Sequence, residues 1–316
     1  MSSAGKTYSV PSRDNNINFL RFIAASLVIW FHMASLLAIP EPYIMGQGLG
    51  PIAVNIFFVL SGYLIAKSWT RSSSFGSYLI RRIARIFPGL AVVILLSVFV
   101  MGPIVTSLPL GDYFADAGTW KYLSLIVLAP ISNVLPGVFD ANPLPYAVNG
   151  SLWTLRYEFL AYLLTPLLYA ATKKLCGGRK LVFAVVLAVL VLVHFLSYSG
   201  LYPLPKVLDN LFRLFAYYMA GVAVLELGLD KYCDSQFAVV ALLVIIVFRD
   251  QVGIFSSLIM FVCVCTFTLG FSLTSNPRFA PCFKKNDYSY GIYIYAFPIQ
   301  QCVVWLGGAS LPCAYL

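Results

Sequence analysis

The first residues that could do chemistry are Arg21 and His32, in the apolar stretch from Asn15 to Leu37. Ionisable side chains within a stretch long enough to cross a bilayer indicate a functional site, because charges are costly inside a membrane. The two are eleven positions apart, which closes to within about 20° of three helical turns. We therefore expect both side chains on one face, about 16 Å apart along the axis. The alternative is that Arg21 extends to lipid headgroups and His32 is an ordinary buried histidine.

A second candidate lies between Asn149 and Tyr162, in the sequence NGSLWTLRYEFLAY. Ser151, Thr154 and Glu158 follow the helical spacing i, i+3, i+7 and predict a polar stripe. Arg156 points to another side. A carboxylate nearly two turns inside an apolar helix is costly unless it is paired or used, which favours a functional role for Glu158.

The third candidate is a basic segment from Lys67 to Pro88 that holds five basic residues and no acid. Arg81 and Arg85 share a helix face, and Arg82 flanks it. Ordinary anchoring to anionic lipid explains such a segment. The sharper interpretation is a phosphate clamp for a donor that carries a nucleotide, because guanidinium groups bind phosphate oxygens in a bidentate manner.

Two aromatic stretches carry further polar groups. In AVNIFFVLSGYL, Asn55 either bonds a neighbouring helix or lines a cavity, whereas packing is favoured for Ser61 and Gly62. In DYSYGIYIYAFPIQQ, four tyrosines either line a cavity or form an interfacial belt. The belt explains the first two tyrosines better than Tyr293 and Tyr295.

Composition decides which elements position these residues. The 316 residues are 60% apolar and 10% charged, with a mean hydropathy of +0.85. This is more apolar surface than a soluble domain hides, so we predict an all-α, polytopic transmembrane helical bundle. The net charge of +9 does not indicate nucleic acid, because the basic residues lie between apolar spans. Seven cysteines at scattered positions indicate neither a disulfide framework nor a metal site.

The hydropathy pattern predicts about nine spans. Sixteen of the 21 Lys and Arg residues fall on the side of the N-terminus, which places that terminus in the cytoplasm. The stretch from Trp120 to Pro136 is short and broken by a proline, so we expect an interfacial or re-entrant piece. The region 111–149 is where an external substrate would meet the protein. The predicted spans are 17–37, 51–69, 87–107, 152–172, 181–198, 207–227, 236–248, 252–274 and 288–308.

Five sequence runs, in order, resemble the acyltransferase-3 family of bacterial integral-membrane acyltransferases. This family includes O-acetyltransferases of O-antigen and other surface polysaccharides. The runs are the Arg21 and His32 pair, VNIFFVLSGYL, YLIRRIARIFP, SLWTLRYEF and SYGIYIYAFPIQ. Any one alone is a weak signal, whereas five in register cover nearly the whole chain.

The resemblance implies a cytoplasmic acyl-CoA donor, most often acetyl-CoA, and an acceptor hydroxyl on a glycan at the outer face of the bacterial inner membrane. It matches Arg21 and His32 to the family's essential pair and Glu158 to its fourth-span carboxylate. The family's histidine in the ninth-span motif is Ala296 here, which puts any role of that side chain in doubt. We expect a cytoplasmic tail at 1–16, a membrane acyltransferase domain at 17–308 and an external tail at 309–316.

The expected roles follow from these matches. The catalytic candidates are His32 as general base, Arg21, and Glu158, which either orients His32 or binds the sugar. Direct transfer and an acyl-histidine intermediate both stay open. The cofactor-binding candidates are Arg81, Arg82 and Arg85, and we expect lipid contact and no metal. The substrate-binding candidates are Asn55, Ser151, Trp153, Tyr293 and Tyr295.

Two alternative classes remain open. A transporter or flippase also carries ionisable residues within spans, but the sequence shows no internal repeat. A binding or scaffold protein that has lost catalysis is the other alternative, and Ala296 keeps it open. Because the family has ten spans and nine are predicted here, we expect a truncated chain. The glycan, the acyl group and the oligomeric state are not indicated.

Overall fold

A computed structural model describes residues 15–129, 134–172, 178–251, 253–274, 283 and 286–307. Most of the predicted tail 1–16 and all of the tail 309–316 lie outside the described residues. The architecture is an α-helical bundle with one small antiparallel hairpin, β1 (Tyr43–Ile44) and β2 (Gln47–Gly48). The helices are α1 (Ile17–Leu36), α2 (Leu49–Thr70), α3 (Phe75–Leu96), α4 (Gly102–Val105), α5 (Leu110–Ala115), α6 (Ala117–Tyr122), α7 (Leu155–Thr172), α8 (Gly178–Tyr198), α9 (Lys206–Leu227), α10 (Ser235–Val247), α11 (Ser256–Leu273) and α12 (Ser289–Trp305).

Six of the described helices are long and apolar enough to cross a membrane: α1, α2, the continuous helix Phe75–Val105, α8, α9 and α11. The multi-pass helical prediction is therefore confirmed, while the count of nine spans is not. Helix α10 has 13 residues and α12 has 17, so both are short for a full crossing. Helix α7 carries Arg156, Glu158 and an internal proline, which lower its hydropathy.

The third predicted span was placed too late in the chain. The helix starts at Phe75, where the Ser74 side chain caps it by accepting from the Ser77 amide at 3.2 Å. It then continues for 31 residues, through a π-helical turn at Ser97–Met101, to Val105. Hydropathy marks only the apolar part of such a helix, whereas Arg, Leu and Ala continue it equally well. Arg81, Arg82 and Arg85 therefore lie within this helix, which follows the turn at residues 71–74.

Helix α2 is the centre of the bundle, with α1, α7, α9 and α11 packed around it. Its crossing with α9 requires glycine on both sides. A Cβ at Gly62 would collide with the carbonyl of Tyr218, and a Cβ at Gly221 would collide with the carbonyl of Val59. The packing role predicted for Gly62 is therefore seen, since small residues let two backbones approach closely.

Hydrogen bonds between elements define the two ends of the bundle. At the first end, the Asn16 side chain donates to the carbonyls of Phe271 and Thr274 at 3.2 and 3.1 Å. At the second end, the Met45 amide donates to the Arg249 carbonyl at 2.6 Å. The start of α1 thus lies beside the end of α11, and the β-hairpin lies beside the turn after α10. We call these the first end and the second end.

The stretch after α3 does not form a long helix in its described part. Helix α6 is followed by a 3₁₀ turn at Leu123–Val127, and Leu128 then takes a left-handed conformation at φ +60°. The Tyr113 hydroxyl donates to the Val98 carbonyl at 2.9 Å, which holds this stretch against the end of the long helix. This agrees with the non-spanning interpretation of 120–136, of which 130–133 lie outside the described residues.

The region predicted to meet an external substrate is tied to α12. The Asn142 amide donates to Oε1 of Gln301 at 2.7 Å. The Gln301 amide in turn donates to the carbonyls of Leu144 and Ala147 at 3.0 and 2.7 Å. These bonds fix residues 142–147 against the second end of the bundle.

Candidate active site

Arg21 and His32 both face α12, as their spacing predicts. The Arg21 Nε donates to the Ser289 hydroxyl at 3.2 Å. Three turns further along α1, the His32 ring meets the edge of the Phe297 ring, with centroids 4.9 Å apart. Ser289 and Phe297 are eight residues apart on α12, so the two helices run side by side through the site.

Asp287 organises the first end of the site, and sequence reasoning missed it. Its Oδ2 lies 3.3 Å from Nε of Arg21 and 2.6 Å from Nη2 of Arg85. Its Oδ1 accepts from the amide and hydroxyl of Ser289 at 3.1 and 2.5 Å. Burial opposes ionisation of this carboxyl, but the charges of Arg21 and Arg85 outweigh it and lower its pKa to about 2. An acid directly before a span, at the end where basic residues gather, was the available signal.

A cavity of about 630 Å³ lies at this end, between α1, α2, α3, α7 and α12. Four arginines border it, namely Arg21, Arg81, Arg82 and Arg85, together with the single acid Asp287. Arg81 is exposed at the rim and donates to the Ser72 hydroxyl at 2.5 Å. The cavity is therefore strongly positive, and we call it the arginine cavity.

Arg82 is held by aromatic rings rather than by acids. Its guanidinium carbon lies 5.8 Å from the ring centroids of both Tyr78 and Tyr162. Its Nη2 donates to the Ser68 hydroxyl at 3.5 Å. Among the described residues, neither Arg81 nor Arg82 has a carboxylate oxygen within 4.0 Å. Their charges are therefore available to an anionic ligand.

A narrower chamber of about 30 Å³ lies next to the arginine cavity, between α1, α2, α7 and α12. The two spaces share Arg21, Ser61 and Tyr290 as walls. The chamber is also lined by the polar side chains of Thr154, Glu158, Ser289 and Tyr293, and by Val54, Phe57, Phe58 and Leu155. It has room for about one or two water molecules.

Two of the three residues in the predicted polar stripe, Thr154 and Glu158, line this chamber, whereas Ser151 does not. Thr154 and Tyr293 share a hydrogen bond of 2.7 Å between their hydroxyls. Glu158 accepts from the Ser61 hydroxyl at 3.4 Å and from the Tyr162 hydroxyl. These hydrogen bonds hold Glu158 near Arg21, and no hydrogen bond between Glu158 and His32 is present among the described residues.

His32 lies beyond the chamber, towards the second end. Its ring packs between Phe31 and Phe297, and its Nδ1 is buried without a hydrogen-bond partner among the described residues. It lines neither of the two spaces described above. Tyr293 lies one turn before Phe297 on α12 and forms the wall of the chamber on the side of His32.

Of the predicted substrate-binding residues, only Tyr293 lines the chamber. Asn55 is turned the other way, towards α9, where it accepts from Nη1 of Arg213 at 2.7 Å. Trp153 packs on the ring of Tyr157 with centroids 5.8 Å apart, and the Tyr295 hydroxyl donates to the Gly89 carbonyl at 3.5 Å. Ser151 is buried, and its hydroxyl has no partner in the described part of the chain.

No metal centre is built from the described residues, since they contain no group of three or more His, Cys, Asp or Glu side chains placed to hold an ion. The site is instead a cationic cavity beside a chamber that is lined by a carboxylate and by hydroxyl groups. It defines a multi-pass membrane protein with a polar reaction or binding centre between its helices.

The chain matches the model of the Acyl_transf_3 family, described as an acyltransferase domain, over residues 14–304. It belongs to this family and is an acyltransferase.

Curated relatives agree with this assignment. The chain is 33% identical over 299 residues to an O-acetyl transferase of Shigella phage Sf6, covering 92% of this chain and 86% of the relative. It is 29% identical over 182 residues to Nodulation protein 10 of Rhizobium leguminosarum bv. viciae, covering 54% and 48%. It is 31% identical over 191 residues to the peptidoglycan O-acetyltransferase OatA of Listeria monocytogenes, covering 56% and 27%. No solved structure matches the chain. The named relatives support O-acetyl transfer as the reaction.

Proposed function

We propose that this protein moves an acetyl group from acetyl-CoA, bound in the arginine cavity, to a hydroxyl of a cell-envelope glycan. The observation that carries the proposal is that the arginine cavity and the chamber lined by Glu158 are neighbours, with Arg21, Ser61 and Tyr290 as shared walls. A donor with phosphates at one end and a thioester at the other matches this arrangement, because the phosphates suit the arginine cavity and the thioester suits the chamber. The names of the phage and Listeria relatives support the acetyl group, and the second of these names supports a glycan acceptor.

The arginines divide into two roles in this proposal. Arg21 and Arg85 are held by Asp287 and border the arginine cavity. Arg81 and Arg82 have no described carboxylate partner and are the residues that bind the phosphates of CoA. Guanidinium groups suit this role because they present paired N–H donors to phosphate oxygens.

The pantetheine arm then carries the thioester into the chamber. The chamber holds about 30 Å³, which is too little for an acetyl thioester without movement of its walls. The hydrogen bond between Thr154 and Tyr293 closes the side of the chamber that leads to His32. Donor binding therefore separates these two hydroxyls and opens the way to His32.

The transfer step uses His32 as a base. The glycan hydroxyl oxygen attacks the thioester carbonyl and loses its proton to His32, the carbon–sulfur bond breaks, and the CoA sulfur receives the proton. No described carboxylate contacts His32, so its imidazolium is not paired and passes the proton on to the sulfur. The second route is attack by His32 itself, which forms an acyl-histidine that the glycan hydroxyl then cleaves.

The direction of transfer follows from the charge pattern. The basic residues of the first end put the arginine cavity on the cytoplasmic side, where acyl-CoA is present, with the N-terminus also inside. His32 and residues 142–147 then lie towards the outer face of a bacterial inner membrane. The glycan approaches from that face.

Equilibrium binding of CoA to the purified protein in nanodiscs tests the donor site. We expect Arg82→Gln to weaken CoA binding about tenfold, since it removes charge-assisted bonds to phosphate. Arg249→Gln at the second end is the matched control and retains wild-type affinity. Unchanged CoA affinity in a correctly inserted Arg82→Gln protein would contradict the assignment and favour lipid anchoring.

A further inference from the structure

A second polar cluster lies on the α9 side of α2, away from the site described above. It consists of Asn55, His194, Arg213 and Tyr217, and we call it the Arg213 cluster. Arg213 is about two turns inside α9, and Asn55 is a similar distance inside α2, both counted from the second end. None of the four residues lines the arginine cavity or the chamber.

The guanidinium of Arg213 is buried without a paired charge. Arg213 is 9% exposed, and no carboxylate oxygen of the described residues lies within 4.0 Å of it. Asp209 is one turn earlier on α9 and acts on Arg213 only through space, because its Oδ1 accepts from the Ser197 hydroxyl at 2.7 Å. The bonded partners of Arg213 are neutral, namely the side-chain carbonyls of Asn55 and Asn210 at 2.7 and 3.0 Å.

Neighbouring polar groups also lack partners. His194 is 2% exposed, and neither ring nitrogen makes a hydrogen bond with the described residues. Its ring centroid lies 6.4 Å from that of Tyr217. The Tyr217 hydroxyl faces the Asn55 side chain, although neither this hydroxyl nor Asn55 Nδ2 makes a hydrogen bond of good geometry. Several buried polar atoms without hydrogen-bond partners thus lie around one guanidinium whose bonded partners are neutral.

We propose that the Arg213 cluster is a binding site for a carboxylate. A buried charge within a membrane bundle is retained when it pairs with a counter-charge or a ligand, and unmade buried hydrogen bonds are costly. One guanidinium with neutral donors from Tyr217 and Asn55 matches a single negative charge and two acceptor oxygens. The carboxylate comes from a small free acid or from an acidic sugar. This inference is independent of the acyl-transfer chemistry proposed above.

Thermal unfolding of the purified protein in nanodiscs tests the proposal. The midpoint is measured in sodium acetate, sodium glucuronate or sodium chloride at equal ionic strength. We expect the carboxylates to raise the midpoint above that in chloride in a saturable manner, because a ligand that binds the folded state stabilises it. A larger effect of glucuronate identifies a sugar acid as the ligand, and an equal effect identifies the carboxylate group itself.

Three variants make the test specific. Arg213→Gln abolishes the carboxylate effect, and Tyr217→Phe weakens the apparent carboxylate affinity about tenfold while it retains the packing of the ring. Arg249→Gln, an exposed arginine at the same end, keeps the full effect. If Arg213→Gln does not fold, the Tyr217→Phe titration decides the outcome.

Three results would overturn the proposal. The first is the absence of any difference between carboxylates and chloride, and the second is an equal difference in the Tyr217→Phe protein. The third is an Asp209→Asn protein as unstable as Arg213→Gln in chloride, which would show that Asp209 supplies the counter-charge from within the chain.

Discussion

Replacing Asp287 with Asn removes the negative charge that lies between the guanidinium groups of Arg21 and Arg85. The three side chains are 17%, 8% and 30% exposed, and the shorter ion pair is 2.6 Å. Breaking a fully buried pair costs about 3–5 kcal/mol, while exposed pairs contribute less than about 1 kcal/mol. For this intermediate burial we expect a loss of about 2–3 kcal/mol of unfolding free energy, because two like charges are left facing each other.

The lowered pKa of Asp287 has the same physical cause, namely the charges of Arg21 and Arg85. Its decrease from 3.8 to about 2 corresponds to roughly 2 kcal/mol in favour of the folded state. Because the folded-state pKa is the lower one, this stability is fully present above about pH 4 and is lost as the pH falls towards 2. The wild-type and Asp287→Asn proteins therefore differ at pH 7 and converge near pH 2.

Denaturation in mixed micelles, followed by tryptophan fluorescence, measures this difference. Asp250→Asn is the matched control, because Asp250 makes the same type of ion pair with Arg249 but is 81% exposed. We expect the control to change stability by less than about 0.5 kcal/mol. An Asp287→Asn protein as stable as this control at pH 7 would refute the electrostatic account of the first end.

Three further predictions concern the chamber, His32 and the helix packing. His32→Ala should lower acetyl transfer at least about 100-fold with membrane abundance near wild type, and full turnover in a transfer assay would remove the base assignment. Glu158→Gln keeps the shape of the side chain but loses the charge that accepts hydrogen bonds from Ser61 and Tyr162. We therefore expect the rate of transfer to fall about 100-fold while the affinity for CoA stays within twofold. A parallel loss of transfer and CoA binding would indicate a structural role. Gly62→Ala should lower the unfolding free energy by about 1–3 kcal/mol, because the added Cβ meets the Tyr218 carbonyl. Gly291→Ala serves as the control, because a Cβ at Gly291 has open space around it. Equal stabilities of the two variants would contradict the close crossing of α2 and α9.

Much of the fold could be predicted because long apolar segments are recognisable from their hydropathy. Helices α1, α2 and α9 begin and end within about two residues of their predicted spans. The start of α3 was missed because hydropathy does not register a helix whose surface is lined with arginine. Whether α10 and α12 cross the bilayer is not decided by hydropathy, because helices of 13 and 17 residues are short for a full crossing.

The candidate site was predicted where the relevant contacts are local and missed where they are not. Helical spacing was sufficient to put Arg21 and His32 on one face of α1. It was also sufficient to put Thr154 and Glu158 on one face of the segment that leads into α7. The direction of Asn55 could not be predicted, because a single polar residue in a span gives no information on which neighbour it faces. The bridge from Arg85 to Asp287 joins residues 202 positions apart, and such pairings depend on the tertiary arrangement of α3 and α12.

The central claim is that acetyl-CoA binds in the arginine cavity with its thioester directed past Glu158 towards His32. A structure of the protein with a non-hydrolysable acetyl-CoA analogue tests this claim most directly. We predict the phosphates beside Arg81 and Arg82, the acyl end beyond Ser61, and the Thr154 and Tyr293 hydroxyls separated from their 2.7 Å contact. An analogue bound elsewhere on the protein, or bound with its phosphates away from these arginines, would contradict the account.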